Sequence, residues 1–262
     1  MKTPVEFLSK GHRIRGEFYL TEEQVATHTA LLLLGFPDSL EDVLLNELGQ
    51  RMSRHGINTL TFNYRGTHRS EGAFSFENTL EDIQAAFSFL HQERTTREFH
   101  VVTSNLVLGG YSYGGGMALA YAATHPEIRR VFSIAGTDHG EFAREYARNP
   151  AFAQWVNTWF EELQLPSGPV HSAGSEASKW LQNPDPYDLK LGAPALADRD
   201  ILLLGGWDDQ STTIEHHVLP FYRALAEAHA QRVQIAAFQD SHEFERSRDE
   251  LAAIIVRWVK SS

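Results

Sequence analysis

Cysteine is absent from the 262 residues, so disulfides, thiolate nucleophiles and cysteine-bound zinc drop out at once. Positive charge is scarce: 23 Lys and Arg stand against 34 Asp and Glu, a formal charge of −11. Phosphate backbones and anionic lipid surfaces repel such a chain, so neither nucleic acid nor a membrane is an expected partner. Long hydrophobic runs are missing too. The N-terminus MKTPVEFLSK lacks the apolar stretch of a secretory signal. The most apolar short run, Ala30 to Phe36, falls far below the roughly 20 residues that cross a bilayer. A soluble, cytoplasmic protein is the expectation. There is no internal repeat and no low-complexity tract. What is present, 42% hydrophobic and 22% charged residues, is ordinary globular composition, and the length supports one sheet-based core.

Short apolar runs alternate with helical spacing. Val5 to Leu8 and Arg13 to Leu20 read as strands around the turn Lys10-Gly11-His12. Ala30 to Leu34 is continuously apolar and ends in Gly35-Phe36-Pro37, which suits a strand covered on both faces. Leu40 to His55 spaces Leu44, Leu45, Leu48 and Met52 as a helix, stopped by Gly56. Asn58 to Tyr64 is a strand, and Phe76 to Gln92 a helix. The unit recurs: strands at Asn105 to Gly109, Arg130 to Ala135, Ile201 to Leu204 and Arg232 to Phe238, with helices at Gly114 to Thr124, Val218 to Ala230 and Arg246 to Val259. Repeated βα units predict an α/β fold, a doubly wound and mostly parallel sheet whose first strands are antiparallel.

One segment breaks the rhythm. Between Ala135 and Ile201 the connection is far longer than a compact domain needs, and it carries helical content at Glu141 to Arg148 and Phe152 to Leu163. A Gly/Pro/Ser-rich stretch, Leu165 to Gly174, follows. Its aromatics, Phe152, Trp155, Trp159 and Phe160, need something to cover, which predicts a helical cap over a substrate pocket. Residues 137–198 are accordingly assigned to a cap insertion, and residues 1–136 and 199–262 to the core.

Chemistry enters at Gly110-Tyr111-Ser112-Tyr113-Gly114, a G-x-S-x-G between strand and helix. Such a turn holds a serine in strained backbone with its hydroxyl projecting from the sheet, and the glycines are small where backbone approaches closely. A serine nucleophile needs a histidine base, and the base a carboxylate. The expected order is Ser, acid, His, each after a strand. Asp208-Asp209 follows one late strand and His242 the last. Neighbouring side chains diverge, so only one aspartate faces the histidine. Asp208 is preferred, with Asp209 read as a solvated or loop-fixing carboxylate and Asp240 as a turn residue. Two backbone N–H groups should bind the oxyanion: Tyr113, after the nucleophile, and Phe36, after the first buried strand, where Pro37 has no N–H to give.

These motifs resemble the α/β-hydrolase superfamily over nearly the whole chain. Phe62-Asn63-Tyr64-Arg65-Gly66 and Tyr111-Ser112-Tyr113-Gly114-Gly115 are similar to bacterial hydrolases related to the prolyl-oligopeptidase and dienelactone-hydrolase groups. The resemblance implies a Ser112–His242–Asp208 triad, acyl transfer to water and no cofactor. Two departures bear on substrate placement: Leu34 stands where many relatives have histidine, and His68 where glycine is common. The lack of a propeller argues against a true prolyl oligopeptidase.

Trp207, Trp155, Trp159 and His139 are candidate pocket residues. Arg65 is expected to pair with a local acid rather than a substrate carboxylate. Glu22-Glu23 and Glu161-Glu162 read as solvated charges, and adjacent His216-His217 lacks metal-ligand spacing, so no metal is expected. The expectation is a serine hydrolase cleaving a small-molecule carboxylic ester. A peptidase or amidase using the same residues, with a cap carboxylate (Glu141, Glu145, Glu161 or Glu162) for a peptide amine, is the alternative. A non-catalytic binding protein on the same fold is the third reading.

Overall fold

The computed structural model describes every residue except 1, 24, 173–179 and 262. The chain opens with a hairpin, β1 (Lys2–Ser9) and β2 (His12–Tyr19). Lys10 and Gly11 both take positive φ, 48° and 84°, the two-residue turn whose twist matches that of its strands. Val5 and Phe7 alternate inward from β1 while their neighbours face solvent. Next come β3 (His28–Leu33) and β4 (Ile57–Phe62), buried at every position, as a strand sandwiched between helix layers must be. The remaining strands are β5 (Leu106–Tyr111), β6 (Arg130–Ile134), β7 (Asp200–Gly206) and β8 (Arg232–Phe238).

Together they form one eight-stranded sheet in the order β1-β2-β4-β3-β5-β6-β7-β8. β2 is antiparallel to both neighbours and every later pairing is parallel. This is the mostly parallel α/β sheet that the alternating pattern predicts, and the α/β-hydrolase fold that the resemblance implies. Register decides where the site falls. Leu33 lies beside Gly110, Tyr111 beside Ile134, Ile134 beside Leu204 and Gly206 beside Phe238, so the parallel strands end together along one edge.

Helices cover both faces. Asp42 caps α1 (Val43–Ser53) by accepting from the Leu45 N–H, and Leu44, Leu45, Leu48 and Met52 form its buried stripe. Ser75 caps α2 (Phe76–Leu90) in the same way. α3 (Glu93–Phe99) was not anticipated: only Thr95 and Phe99 are buried, so no apolar period marks it. α4 (Tyr113–Thr124) follows β5 and is buried almost throughout, which is why it is built of alanine and glycine. Asn149 ends α5 (His139–Arg148) and caps α6 (Pro150–Leu163) through the Phe152 N–H, with Pro150 at the first helical position. α8 (Arg248–Lys260) packs beside α1, whereas α7 (Leu219–Glu227) packs with the turns of residues 189–196 that lie on α4, so each completes a different layer. Among the described residues no helix is long and apolar enough to cross a membrane.

The long connection between β6 and β7 is stitched to the core by backbone. The His68 N–H donates to Pro169, His171 donates to Gly66, and Phe74 donates to His171, at 2.7, 2.6 and 2.7 Å. Of the Leu165 to Gly174 stretch, residues 173 and 174 lie outside the described residues. Arg65, at the end of β4, meets buried Asp82 at 2.9 Å, bonds Ser9 Oγ at 2.7 Å and reaches Glu81 at 3.1 Å. Its guanidinium thus joins β1, the β4 exit and α2, the local pairing expected for it. Asp82→Ala should cost about 3–5 kcal/mol in urea unfolding, because it leaves a buried guanidinium without its main counter-charge.

Candidate active site

Ser112 sits at φ 54°, ψ −119°, between β5 and α4, a conformation that L residues seldom adopt. Its N–H donates to Ile134 at 2.8 Å, and its carbonyl accepts from Gly116 and Thr137 at 3.2 and 3.1 Å. A Cβ on Gly110 would strike the Gly114 backbone, and one on Gly114 would strike the Leu34 carbonyl. Glycine at both positions therefore lets the strand, the helix start and the β3 exit close on one point.

His242, after β8, brings Nε2 to 3.0 Å from Ser112 Oγ. Its Nδ1 lies 2.7 Å from Asp209 Oδ2. A carboxylate only accepts, so the ring proton is on Nδ1 and the Nε2 lone pair faces the serine hydroxyl. Asp209 is buried, with no exposed side-chain surface. Its Oδ1 accepts from the Ser211 and Thr212 N–H groups at 2.7 and 2.9 Å, and the Thr212 hydroxyl lies 2.7 Å from Oδ2. Burial pushes the Asp209 carboxyl up, but hydrogen bonds and charge from His242 and bonds from Thr212 outweigh it and hold it below the usual range.

The structure thus replaces Asp208 by Asp209 as the histidine's partner. Asp208 is 45% exposed and binds Arg246 at 2.9 Å and Gln239 at 2.7 Å. Divergence of adjacent side chains was the right constraint, applied to the wrong member. The overlooked signal was Ser211-Thr212 behind Asp209, the sequence of an Asx turn that locks the earlier carboxylate onto its own backbone. Asp240 accepts from the Ser241, Arg246 and Ser247 N–H groups, the turn role expected.

A cavity of about 810 Å³ opens over Ser112 and His242. His139, Trp155 and Trp159, candidate pocket residues from the sequence, line it, as do Phe36 and Tyr113, the candidate oxyanion donors, together with Phe76, Phe142, Phe152 and Trp180. Trp207 does not line it and is 49% exposed; its N–H continues the β7–β8 ladder to Phe238, which leaves the indole on the solvent side. Tyr113 is the first residue of α4, so its N–H has no partner within the helix and is free to serve an anion. The segment carrying Phe36 is fastened from outside: His68 Nε2 donates to the carbonyls of Pro37 and Asp38 at 2.8 and 2.9 Å. Histidine in place of glycine at residue 68 is thereby explained. Asp38, which the sequence reading did not single out, also lines the cavity, its carboxyl pushed up to about 6 by burial and by Asp42.

His139 is packed among Phe76, Tyr113 and Trp180, and burial pushes its imidazole down to about 3. His217 accepts the Asp138 N–H on Nδ1 at 3.1 Å, so its proton is on Nε2, and burial holds it down to about 4. Among the described residues no group of three or more His, Asp or Glu is placed to hold a metal ion.

The family model described as serine aminopeptidase, S33, matches residues 41–189, more than half of the chain. The chain belongs to that family. The S33 match spans Ser112 and stops short of Asp209 and His242. It establishes the α/β-hydrolase superfamily expected from the sequence; the narrower prolyl-oligopeptidase and dienelactone-hydrolase grouping is no part of it. No curated protein sequence matches. Solved structures of similar shape include Est1E from Butyrivibrio proteoclasticus with ferulic acid bound, at 13% identity and TM-score 0.72, covering 97% of each chain. The Pyrococcus furiosus esterase Pf2001 has 14% identity and TM-score 0.70 over 99% of this chain and 92% of that one. An esterase domain from Rhodothermus marinus has 19% identity and TM-score 0.67 over 99% of each. At such identities the likeness is one of fold, and this S33 hydrolase carries its own site.

The two buried histidines make stability pH-dependent with a definite sign. Between about 3 and 6.5 the unfolded chain binds a proton that folded His139 refuses, so stability is lost as pH falls through that window. Asp38 and Asp138, both pushed up to about 6, act in the opposite direction between their ordinary range and 6. A difference measurement isolates the histidine: in urea unfolding, His139→Phe should raise the stability at pH 5 relative to that at pH 7 by about 2 kcal/mol compared with the wild type.

Proposed function

We propose that this hydrolase cleaves a carboxylic ester through an acyl-enzyme on Ser112. The observation that carries the reading is the unbroken line Ser112 Oγ–His242–Asp209, at 3.0 and 2.7 Å, opening into a cavity. Ser112 Oγ attacks the ester carbonyl while its proton passes to His242 Nε2. Asp209 holds the ring and balances the imidazolium charge. The Tyr113 and Phe36 N–H groups receive the oxyanion. As the tetrahedral intermediate collapses, the alcohol leaves with the proton from Nε2. Water then repeats the sequence, giving its proton to His242 and releasing the acid and the free serine. The reading of residues 137–198 as a cap rests on α5 and α6, which contribute wall residues to the cavity over Ser112; residues 173–179 lie outside the described residues, and residues 189–196 pack against α4 and α7.

The amidase reading needs a cap carboxylate free to take a peptide amine. Glu141 and Glu145 line the cavity, yet Glu141 is paired with Arg148 and Lys190 at 3.1 and 3.0 Å, and Glu145 with Arg148 at 2.6 Å. Glu161 and Glu162 are exposed and outside the lining. These pairings favour the ester.

Wild type should react with a small fluorophosphonate and Ser112→Ala should not. Asp209→Asn should lower kcat by roughly 10³–10⁴-fold, since the ring then loses its tautomer and its counter-charge. Asp208→Asn should stay within about twofold, because that carboxylate faces solvent. Equal, mild losses in both variants, or an unlabelled wild type, would refute the assignment.

A further inference from the structure

Every apolar side chain lining the cavity is aromatic; no Leu, Ile, Val or Met contributes to its wall among the described residues. The sheet core beneath is the reverse, dominated by leucine, isoleucine and valine. The wall's rings also touch in a closed cycle. Tyr113 meets Phe36 at 5.6 Å between centroids, and Phe36 meets Trp159 edge-on at 5.8 Å. Along α6 the contacts run from Trp159 to Trp155 and on to Phe152, at 5.6 and 5.7 Å. Phe142 and Trp180 carry them back to Phe76, which returns to Tyr113 at 5.1 Å. The cycle therefore begins and ends on the residue next to Ser112.

An alkyl chain gains little from such a wall beyond buried area. A planar ring gains more, because indole and phenyl walls offer both negative faces and positive edges for stacked and edge-to-face contact. An aromatic enclosure also suits a cationic head, but the cap carboxylates at this cavity already carry Arg148 and Lys190 as counter-charges. We propose that the ester accepted here carries a planar aromatic ring, seated within the cycle of aromatic side chains. This inference rests on the ester-hydrolase reading above.

The test uses matched pairs and kcat/KM. Methyl phenylpropanoate is set against methyl cyclohexylpropanoate, and phenylethyl acetate against cyclohexylethyl acetate. The saturated ring is the bulkier and more hydrophobic, so burial alone favours it. The phenyl member should lead by about tenfold in one pair, and that pair tells whether the ring belongs to the acyl or the alcohol part. Trp159→Leu should bring the ratio close to one. Fluorophosphonate labelling of the same samples reports whether Ser112 is still competent, and if Trp159→Leu does not label, Phe142→Leu supplies the comparison. The inference is overturned if the cyclohexyl member equals or exceeds the phenyl one in both pairs, or if the ratio survives the substitution. It is likewise overturned if a trimethylammonium ester outpaces its neutral tert-butyl counterpart, or if Ser112 labels while neither pair is hydrolysed. An unlabelled wild type that turns over no ester at all would instead defeat the hydrolase reading, and this inference with it.

Discussion

A serine at positive φ is costly for an L residue, and the turn that holds Ser112 there depends on backbone closing around it from three sides. β6 supplies an acceptor for its N–H, the start of α4 and the β6 exit supply donors for its carbonyl, and the β3 exit presses against Gly114. None of these contacts uses a side chain, so the position of the hydroxyl is set by the sheet itself. The histidine and the carboxylate reach it because β5, β7 and β8 run parallel and end in register. Elements 130 residues apart in sequence meet at 3.0 Å because the topology delivers their loops to one edge.

Around that edge the chain manages charge by burial and pairing. Its overall acidity is large, yet two of the histidines lining the cavity, His139 and His217, are held neutral by desolvation, and Glu141 and Glu145 are covered by arginine and lysine. Asp209 stays ionised inside, sustained by two backbone N–H groups, a hydroxyl and an imidazole. A buried carboxylate without those donors would take up a proton and could not fix the ring of His242.

Much of this was legible in the amino-acid order. Strand and helix positions followed from apolar spacing, with α3 missed because ERTTREF buries only Thr95 and Phe99 and so shows no apolar period. The strand-turn-helix context singled out Ser112, and its place after the last strand singled out His242. For the acid, sequence reasoning failed by a single position. Asp208 and Asp209 are chemically alike, and only the direction in which β7 leaves the sheet decides which points inward. The same strand end turned Trp207 to solvent, so an aromatic residue beside the acid proved to be no part of the wall.

The sequence by itself determined which elements form and which residue types carry the chemistry, since periodicity, turn residues and a glycine-flanked serine are local properties of the chain. Tertiary structure decided the partner of His242, the role of His68 in fastening the segment around Phe36, and the joining of scattered aromatics into one wall. Those outcomes depend on side-chain direction and on distances between remote segments. A one-residue step in a strand reverses the first, and only the packed sheet fixes the second.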